Sequence, residues 1–235
     1  MKTAIITGGG SGIGLATAQA LSREGYRVGL IGRRAAVLQT ATETVTRAGG
    51  EAWWAAIDVR DQAAVEAFVA ETINRSGKID LLVNNAGWFK LTPMADLTLD
   101  EWRDTLDVNL TGAFICAKAV WPYIDNGHII NVSSVAGVQP YPGCAAYSAS
   151  KYGLIGLSEV LALEGKARNI RVHAICPGNT QTDAWAGQAP VEVQAHMMKP
   201  DDIAEVIRWL AVSPPHVSFD KIVIRPTRDP WTVTN

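Results

Sequence analysis

Short apolar runs alternate with helical segments along nearly the whole chain of 235 residues, and this alternation limits the folds that it can adopt. The runs that predict buried strands lie at residues 4–6, 28–31, 52–57, 79–83, 129–132, 170–175 and 222–224. Helical patterns fill the intervals, including 35–48, 62–76, 99–123 and 203–212. This alternation predicts a parallel sheet that is covered by helices on both faces. Because no linker, repeat or low-complexity segment interrupts it, we predict one α/β domain over residues 1–235.

A glycine-rich turn follows the first predicted strand. It reads Gly8-Gly9-Gly10-Ser11-Gly12-Ile13-Gly14 and leads directly into a helical pattern. A strand, a glycine turn and a helix direct backbone N–H groups and the positive end of a helix dipole towards a phosphate. The spacing differs from the dinucleotide fingerprint Gly-x-Gly-x-x-Gly, and a glycine cluster alone can be a flexible turn. Its position inside a strand–helix–strand unit nevertheless predicts a dinucleotide site.

The end of the second strand indicates which dinucleotide is preferred. An acidic residue roughly 20 residues after the turn would bind the ribose 2′-OH of NAD, but here the chain carries Arg33 and Arg34. Guanidinium groups neutralise a 2′-phosphate, so we predict NADP(H) as the preferred cofactor and NAD(H) as the alternative. Arg34 has a second interpretation as a solvated residue that opens the next helix. Asp58 either accepts a hydrogen bond from an adenine amine or caps the helix that begins near Asp61.

Amide side chains occur at two unusual positions. The fourth strand ends in the sequence Asn84-Asn85-Ala86-Gly87. The amide side chains there either approach a ligand or lock neighbouring strands by hydrogen bonds. Asn109 lies in the middle of the helical segment 99–123. Asn is a poor helix-interior residue because its amide competes for backbone groups. We therefore expect a specific reason for Asn109.

The segment 131–151 carries the residues best suited to catalysis. The apolar run before it delivers Ser134 to the carboxyl end of a strand, where open α/β sheets bind ligands. Tyr147 and Lys151 are four residues apart on a predicted helix, so the phenol and the ammonium lie one above the other. The ammonium is expected to lower the pKa of Tyr147 and to make it a general acid or base. Such pairs are common on helix surfaces, so it is Ser134 and the glycine turn that favour a catalytic role for this pair.

Composition excludes several other classes of function. The formal net charge of −2 provides no basic surface for nucleic acid or for an anionic membrane. The N-terminal apolar stretch is too short for a signal peptide, and no run approaches the roughly 20 apolar residues of a membrane helix. The three cysteines are widely spaced, which favours free thiols, no metal site and a cytoplasmic location. Residues 179–199 lack periodicity and are predicted to form a substrate loop.

These residues resemble the classical short-chain dehydrogenase/reductase family over nearly the whole chain. The shared motifs, in the family's order and approximate spacing, are Thr7-Gly8-x-x-x-Gly12-x-Gly14, Asn84-Asn85-Ala86-Gly87, Asn109, Ser134 with Tyr147 and Lys151, and Pro177-Gly178. The resemblance implies a Rossmann-type, doubly wound α/β fold with a seven-stranded, mostly parallel sheet in the order 3-2-1-4-5-6-7. It also implies a homo-oligomer, either a dimer or a tetramer, assembled through the helices that contain Asn109 and Tyr147.

The resemblance further implies an oxidoreductase that interconverts a secondary alcohol and a ketone, or a primary alcohol and an aldehyde. Tyr147 would exchange a proton with the substrate oxygen, and Ser134 would stabilise the charge that develops there. Lys151 would lower the pKa of the tyrosine and bind the nicotinamide ribose, and Asn109 would hold a water at a helix kink. Implied cofactor contacts are Gly8, Gly10, Ser11, Gly12, Ile13, Gly14, Arg33, Arg34, Asp58, Val59, Asn85, Ala86, Gly87, Tyr147, Lys151, Pro177, Gly178, Thr180 and Thr182.

The resemblance leaves the substrate unspecified. Implied substrate contacts are Ser134, Tyr141, Cys144, Tyr147 and Trp185, with Trp88 and Phe89 nearby. Aromatic residues favour an apolar or ring-bearing substrate, although they also occur as plain packing. Two residues depart from the family pattern: Ser11 replaces a frequent basic residue, and Thr180 a frequent aliphatic one. A non-catalytic dinucleotide-binding regulator is the alternative, and the complete set of Asn, Ser, Tyr and Lys argues against it.

Overall fold

A computed structural model describes residues 1–232 of the chain. Its strands are β1 (Lys2–Thr7), β2 (Tyr26–Gly32), β3 (Ala52–Ala56), β4 (Leu81–Asn84), β5 (His128–Val132), β6 (Arg171–Pro177) and β7 (Lys221–Ile224). They form one seven-stranded sheet in the order β3-β2-β1-β4-β5-β6-β7. All neighbouring pairs are parallel. The predicted Rossmann-type order is therefore confirmed, and the sheet is parallel throughout.

Helices cover both faces of this sheet. They are α1 (Gly12–Arg23), α2 (Ala35–Arg47), α3 (Gln62–Ser76), α4 (Leu99–Leu106), α5 (Gly112–Val120), α6 (Ala145–Gly165), α7 (Val191–Gln194) and α8 (Pro200–Ala211). One apolar core lies beneath α1, α2 and α8, and a second lies beneath α3, α5 and α6. Successive strand residues point to opposite faces, so Ile5 belongs to the second core and Ile6 to the first. Burial on both faces explains why the strands are almost continuously apolar.

The connection between β3 and β4 carries the chain from one half of the sheet to the other. β1 pairs with β2 on one side and with β4 on the other. The loops that leave the carboxyl ends of β1 and β4 therefore run in opposite directions and leave a crevice between them. Ligands of doubly wound sheets bind at such a switch point.

The predicted helix over residues 99–123 is interrupted. α4 ends at Leu106, a π turn spans Asp107–Thr111, α5 follows, and a 3-10 turn at Trp121–Tyr123 ends the segment. Asn109 lies inside the π turn and is buried. Single π turns inside helices are frequently found at functional sites. The predicted loop 179–199 is largely irregular, with a 3-10 turn at Asp183–Trp185 and the single turn of α7.

A chain of amide hydrogen bonds joins the central strands to α6. The Asn84 amide nitrogen donates to the Asn131 side-chain oxygen over 2.9 Å, and the Asn131 amide nitrogen donates to the Ser158 hydroxyl over 2.8 Å. All three residues are buried. The strand-locking interpretation of Asn84 is therefore confirmed. Within residues 1–232, no helix combines the length and apolar character that crossing a membrane requires.

Candidate active site

A cleft of about 1270 Å³ opens at the carboxyl ends of the strands. Single small-molecule pockets usually measure roughly 300–1,000 Å³, so this cleft has room for a dinucleotide together with a substrate. Every predicted site residue lines the cleft except Gly14 and Asn109, which lie behind its wall. The turn after β1 and the catalytic candidates after β5 therefore face the same space, as the sequence interpretation requires.

The glycine turn has a shape that only glycine allows. Gly8 and Gly12 adopt positive φ angles of 63° and 53°. A Cβ atom on Gly14 would lie 2.2 Å from the Gly8 carbonyl oxygen, so the turn closes directly onto the first residues of α1. The Thr7 hydroxyl accepts hydrogen bonds from the backbone nitrogens of Asn85, over 2.9 Å, and Ala86, over 2.8 Å. The resulting cradle at the start of α1 fits a dinucleotide pyrophosphate.

The two neighbouring arginines have different environments. Arg34 immediately precedes α2 and donates to the Ser11 hydroxyl over 3.2 Å. It also lies 3.8 Å from the Asp183 carboxylate of the loop. Arg33 is exposed on the cleft wall and makes no side-chain hydrogen bond or salt bridge within residues 1–232. Arg33 is thus the guanidinium available to a bound anion.

Asp58 is held by a neighbouring arginine. Its carboxylate accepts from the Arg60 guanidinium over 2.8 Å and 3.0 Å, and this hydrogen bonding holds the pKa of Asp58 below its usual value. Asp61, rather than Asp58, caps α3 by accepting from the Ala64 backbone nitrogen. The helix-capping interpretation of Asp58 is therefore wrong. Its contact with adenine stays a prediction, and both Asp58 and Val59 line the cleft.

Ser134, Tyr147 and Lys151 meet on the floor of the cleft. Ser134 lies just beyond β5, and its hydroxyl accepts from the Ala136 backbone nitrogen over 3.1 Å. The Lys151 ammonium lies 5.6 Å from the centre of the Tyr147 ring and donates to the Val132 carbonyl over 2.9 Å. The Ser133 hydroxyl donates to the Lys151 carbonyl over 3.0 Å, which fixes α6 against the end of β5.

The pKa values of the pair differ from the sequence-based expectation. Burial raises the pKa of Tyr147 to about 12, and a hydrogen bond from Ser134 only partly opposes the increase. Burial also lowers the pKa of Lys151 to about 8. The raised pKa of Tyr147 contradicts the expectation of an acidic phenol. Desolvation disfavours both charged forms, and the hydrogen bond of the ammonium goes to the Val132 carbonyl.

Asn109 has a clear structural reason for its position. Its side-chain oxygen accepts from the Trp88 backbone nitrogen over 2.7 Å, and its amide nitrogen donates to the Trp88 carbonyl over 2.9 Å. The same amide donates to the Ser150 hydroxyl over 3.1 Å. Asn109 therefore ties the segment after β4 to the helix that carries Tyr147 and Lys151. The predicted water at this residue stays a prediction.

Three parts of the cleft were not found from the sequence. Gln188 joins the loop to the segment after β4, since its side chain accepts from the Leu91 backbone nitrogen and donates to the Phe89 carbonyl. Arg225 lies on the rim, and the tail around Trp231 folds back to line the cleft. Nothing in the sequence marks Gln188, whereas an isolated Trp in a polar tail is a weak signal. Thr180, the departure noted above, is buried and donates to the Gly178 carbonyl over 3.0 Å.

Comparison with known proteins identifies the relatives of this chain. A family model described as short chain dehydrogenase matches residues 2–192. The chain is 35% identical to a 3-oxoacyl-[acyl-carrier-protein] reductase of Synechocystis, covering 91% of this chain and 90% of that protein. It is 34% identical to an uncharacterized oxidoreductase of Listeria innocua, covering 98% of each. It also matches glycine betaine reductase ATRR of Emericella nidulans at 35% identity, but spans only 19% of that protein.

Solved structures that superpose on this chain are also dehydrogenases. A dehydrogenase/reductase from Sinorhizobium meliloti superposes with a TM-score of 0.86 at 33% identity, covering 96% of this chain and 94% of that one. An alcohol dehydrogenase from the archaeon Thermococcus sibiricus, complexed with 5-hydroxy-NADP, superposes with a TM-score of 0.90 at 27% identity, covering 97% of both chains.

Proposed function

Because the chain belongs to the short-chain dehydrogenase/reductase family of NAD(P)-binding oxidoreductases, we propose that it is an NADP(H)-dependent alcohol dehydrogenase or carbonyl reductase. It interconverts a secondary alcohol and a ketone, or a primary alcohol and an aldehyde. The observation that carries this proposal is the meeting of Ser134, Tyr147 and Lys151 in the cleft that also holds the glycine turn.

The proposed chemistry divides into hydride transfer and proton transfer. The bound nicotinamide supplies the hydride in reduction and accepts it in oxidation. Tyr147 donates a proton to the substrate oxygen in reduction and removes it in oxidation. Ser134 donates a hydrogen bond to the same oxygen and stabilises its developing charge. At a pKa of about 12 the Tyr147 phenol is protonated at neutral pH and therefore carries the proton that reduction requires.

The preference for NADP(H) rests on Arg33. Its exposed guanidinium lies on the cleft wall near the end of β2 and contributes a positive charge near Asp58. A doubly charged 2′-phosphate gains a charge-assisted hydrogen bond there, whereas a 2′-hydroxyl gains much less. The relative from Thermococcus sibiricus, which is complexed with 5-hydroxy-NADP, is consistent with this choice. An NAD(H)-dependent enzyme of the same family is the alternative.

The proposed reaction is tested by following NADPH absorbance with a panel of ketones and aldehydes. Tyr147→Phe removes the proton donor and should lower kcat by at least about a hundredfold, a typical contribution of general acid–base catalysis. Tyr123→Phe is the matched control, because Tyr123 is exposed and lies outside the cleft. It should retain wild-type kcat.

Two results would contradict the proposed mechanism. Equal turnover by the wild-type protein and Tyr147→Phe would remove the role of the phenol. Tight binding of NADPH without turnover of any carbonyl compound would favour the alternative of a non-catalytic dinucleotide-binding regulator.

We also propose that the protein forms a homo-oligomer through α5 and α6. These helices expose four large, mainly apolar side chains, which are Phe114 on α5 and Tyr152, Val160 and Leu163 on α6. Apolar surface of this kind often marks a site of protein–protein contact. Light scattering coupled to size-exclusion chromatography should give a mass at least twice that of one chain. A monomer mass at micromolar concentration would contradict the proposal.

A further inference from the structure

A row of four aromatic side chains extends from the catalytic candidates to the C-terminal tail. The rings of Tyr147 and Phe89 have centres 4.8 Å apart, those of Phe89 and Trp185 5.0 Å, and those of Trp185 and Trp231 6.2 Å. All three contacts are edge-to-face, the arrangement that aromatic pairs favour. We call these four residues the aromatic row, and all of them line the cleft.

The middle of the aromatic row is held in place by the loop. The Gln188 side chain accepts from the Leu91 backbone nitrogen over 2.8 Å and donates to the Phe89 carbonyl over 3.2 Å. Trp185 lies three residues before Gln188, on the same part of the loop. Phe89 and Trp185 are therefore fixed relative to each other before any substrate binds, which lowers the entropic cost of binding.

The far end of the aromatic row is held by a turn in the tail. The Asp229 carboxylate accepts from the Trp231 backbone nitrogen over 3.1 Å, and the Asp229 carbonyl accepts from Thr232. Pro230 is buried, whereas Trp231 is 42% exposed and lines the cleft. The tail is anchored at Pro230, and the Trp231 indole is left with an apolar surface that a ligand can cover.

Two charged side chains that line the cleft with the aromatic row have partners of opposite charge, and a third is hydrogen-bonded to an amide. Arg225 donates to the Gln139 side-chain oxygen over 3.3 Å. The Lys90 ammonium lies 2.6 Å from the Glu101 carboxylate, and Asp183 lies 3.8 Å from Arg34. Because Lys90 and Asp183 are paired with opposite charges, the surface beside Phe89 and Trp185 is mainly aromatic, which favours an uncharged apolar group there.

We propose that Trp231 determines substrate specificity by completing, with Phe89 and Trp185, a wall that binds the aryl group of an aryl ketone or aryl aldehyde. This inference rests on the proposed function, because it takes the reaction to be the reduction of a carbonyl group. The carbonyl oxygen lies at Tyr147 and Ser134, and the aryl ring packs against the aromatic row. Small aliphatic ketones reach the same catalytic groups without touching Trp231.

The test compares acetophenone with butan-2-one as substrates for NADPH-dependent reduction. Trp231→Ala should raise KM for acetophenone about tenfold, because the free energy of one aromatic pair corresponds to at most about this factor in binding. KM for butan-2-one and for NADPH should stay within twofold. Trp231→Phe should restore most of the loss. Trp209→Ala is the matched control, because Trp209 is 45% exposed and packs on Phe219, away from the cleft. It should change neither value.

The outcomes separate this inference from the proposed function. If wild-type protein reduces butan-2-one and Trp231→Ala leaves acetophenone kinetics unchanged, or alters both ketones equally, the inference is wrong and the proposed function stands. If wild-type protein reduces neither ketone, calorimetric binding of acetophenone in the presence of NADP⁺ decides. Binding that Trp231→Ala weakens and Trp209→Ala does not would uphold the aromatic wall without turnover. Equal binding by wild type and Trp231→Ala, or none, would overturn it.

Discussion

Mild acid should destabilise the protein through a buried pair of histidines at the start of β5 and β6. Arg171 donates to the His128 Nε2 atom, so that atom must be unprotonated. His128 Nδ1 then carries the hydrogen and donates to His173 Nε2 over 3.1 Å, and His173 Nδ1 donates to the Phe219 carbonyl over 2.7 Å. These partners assign both tautomers and require both rings to be neutral.

The size of the effect follows from the pKa of His128. Burial, together with the charge of Arg171, lowers this pKa to about 3, and burial also lowers the pKa of His173. In the unfolded chain a His titrates near 6.5, so below that pH the unfolded state binds more protons and stability falls. From pH 7.5 to pH 5, His128 alone should cost about 2 kcal/mol in the free energy of unfolding.

The assay is urea unfolding at several pH values between 7.5 and 5. The carboxyl groups whose pKa is lowered, Asp58, Glu101 and Glu205, titrate below this window and do not disturb it. His128→Gln keeps an acceptor and a donor but cannot titrate, so its loss of stability on acidification should be smaller than that of wild type by about 2 kcal/mol. His196→Gln, at an exposed position on the loop, is the matched control.

Equal losses of the free energy of unfolding by His128→Gln and wild type between pH 7.5 and pH 5 would contradict the role of His128. Removal of the pH dependence by His196→Gln would also contradict it, because an exposed histidine would then be the source. A lower stability of His128→Gln at pH 7.5 would not decide the question, since only the change with pH reports the titration.

The remaining predictions concern the cofactor and the phenol. Arg33→Ala should raise KM for NADPH about tenfold and leave KM for NADH nearly unchanged, because only NADPH has a 2′-phosphate. Arg34→Ala should have a smaller effect on NADPH, since Arg34 is held by Ser11 and Asp183; equal losses for both dinucleotides would contradict this assignment. In the ligand-free protein, tyrosinate absorbance of wild type and Tyr147→Phe should coincide below pH 10, because burial raises the pKa of Tyr147 to about 12. A phenolate that appears near neutral pH only in wild type would be the contrary result.

The architecture could be predicted because each strand is buried on both faces. Two-sided burial gives the strands continuous apolar runs, such as residues 28–31 of β2 and 81–83 of β4, and the helices between them carry apolar residues on one face only. The predicted boundaries differ from the observed ones by one to three residues at most ends, as is usual for strand and helix termini. The π turn at Asn109 could be anticipated only as an unexplained Asn in a helix.

The parts of the site that could not be predicted depend on contacts between distant residues. Gln188 meets Leu91 across 97 positions of sequence, and Trp231 reaches Trp185 only because the tail turns back at Asp229. The raised pKa of Tyr147 could not be predicted from the sequence for the same reason. The spacing of Tyr147 and Lys151 correctly predicts their proximity, but desolvation is a property of the assembled cleft and has no local sequence signal.

The opposite shifts of Tyr147 and Lys151 also indicate how a ligand changes the site. An ammonium has three N–H donors, and within residues 1–232 one of them is used by the Val132 carbonyl. A Cβ atom placed on Gly87 would lie 3.5 Å from the Lys151 nitrogen, so the ammonium is close to the cleft wall at that residue. Hydroxyl groups of a bound ligand that accept from the remaining donors would stabilise the charged ammonium and raise its pKa again. With its pKa at about 8, Lys151 is already mostly charged at neutral pH, so a ligand of this kind would preserve the charge above pH 8, where a charged ammonium favours a neighbouring phenolate.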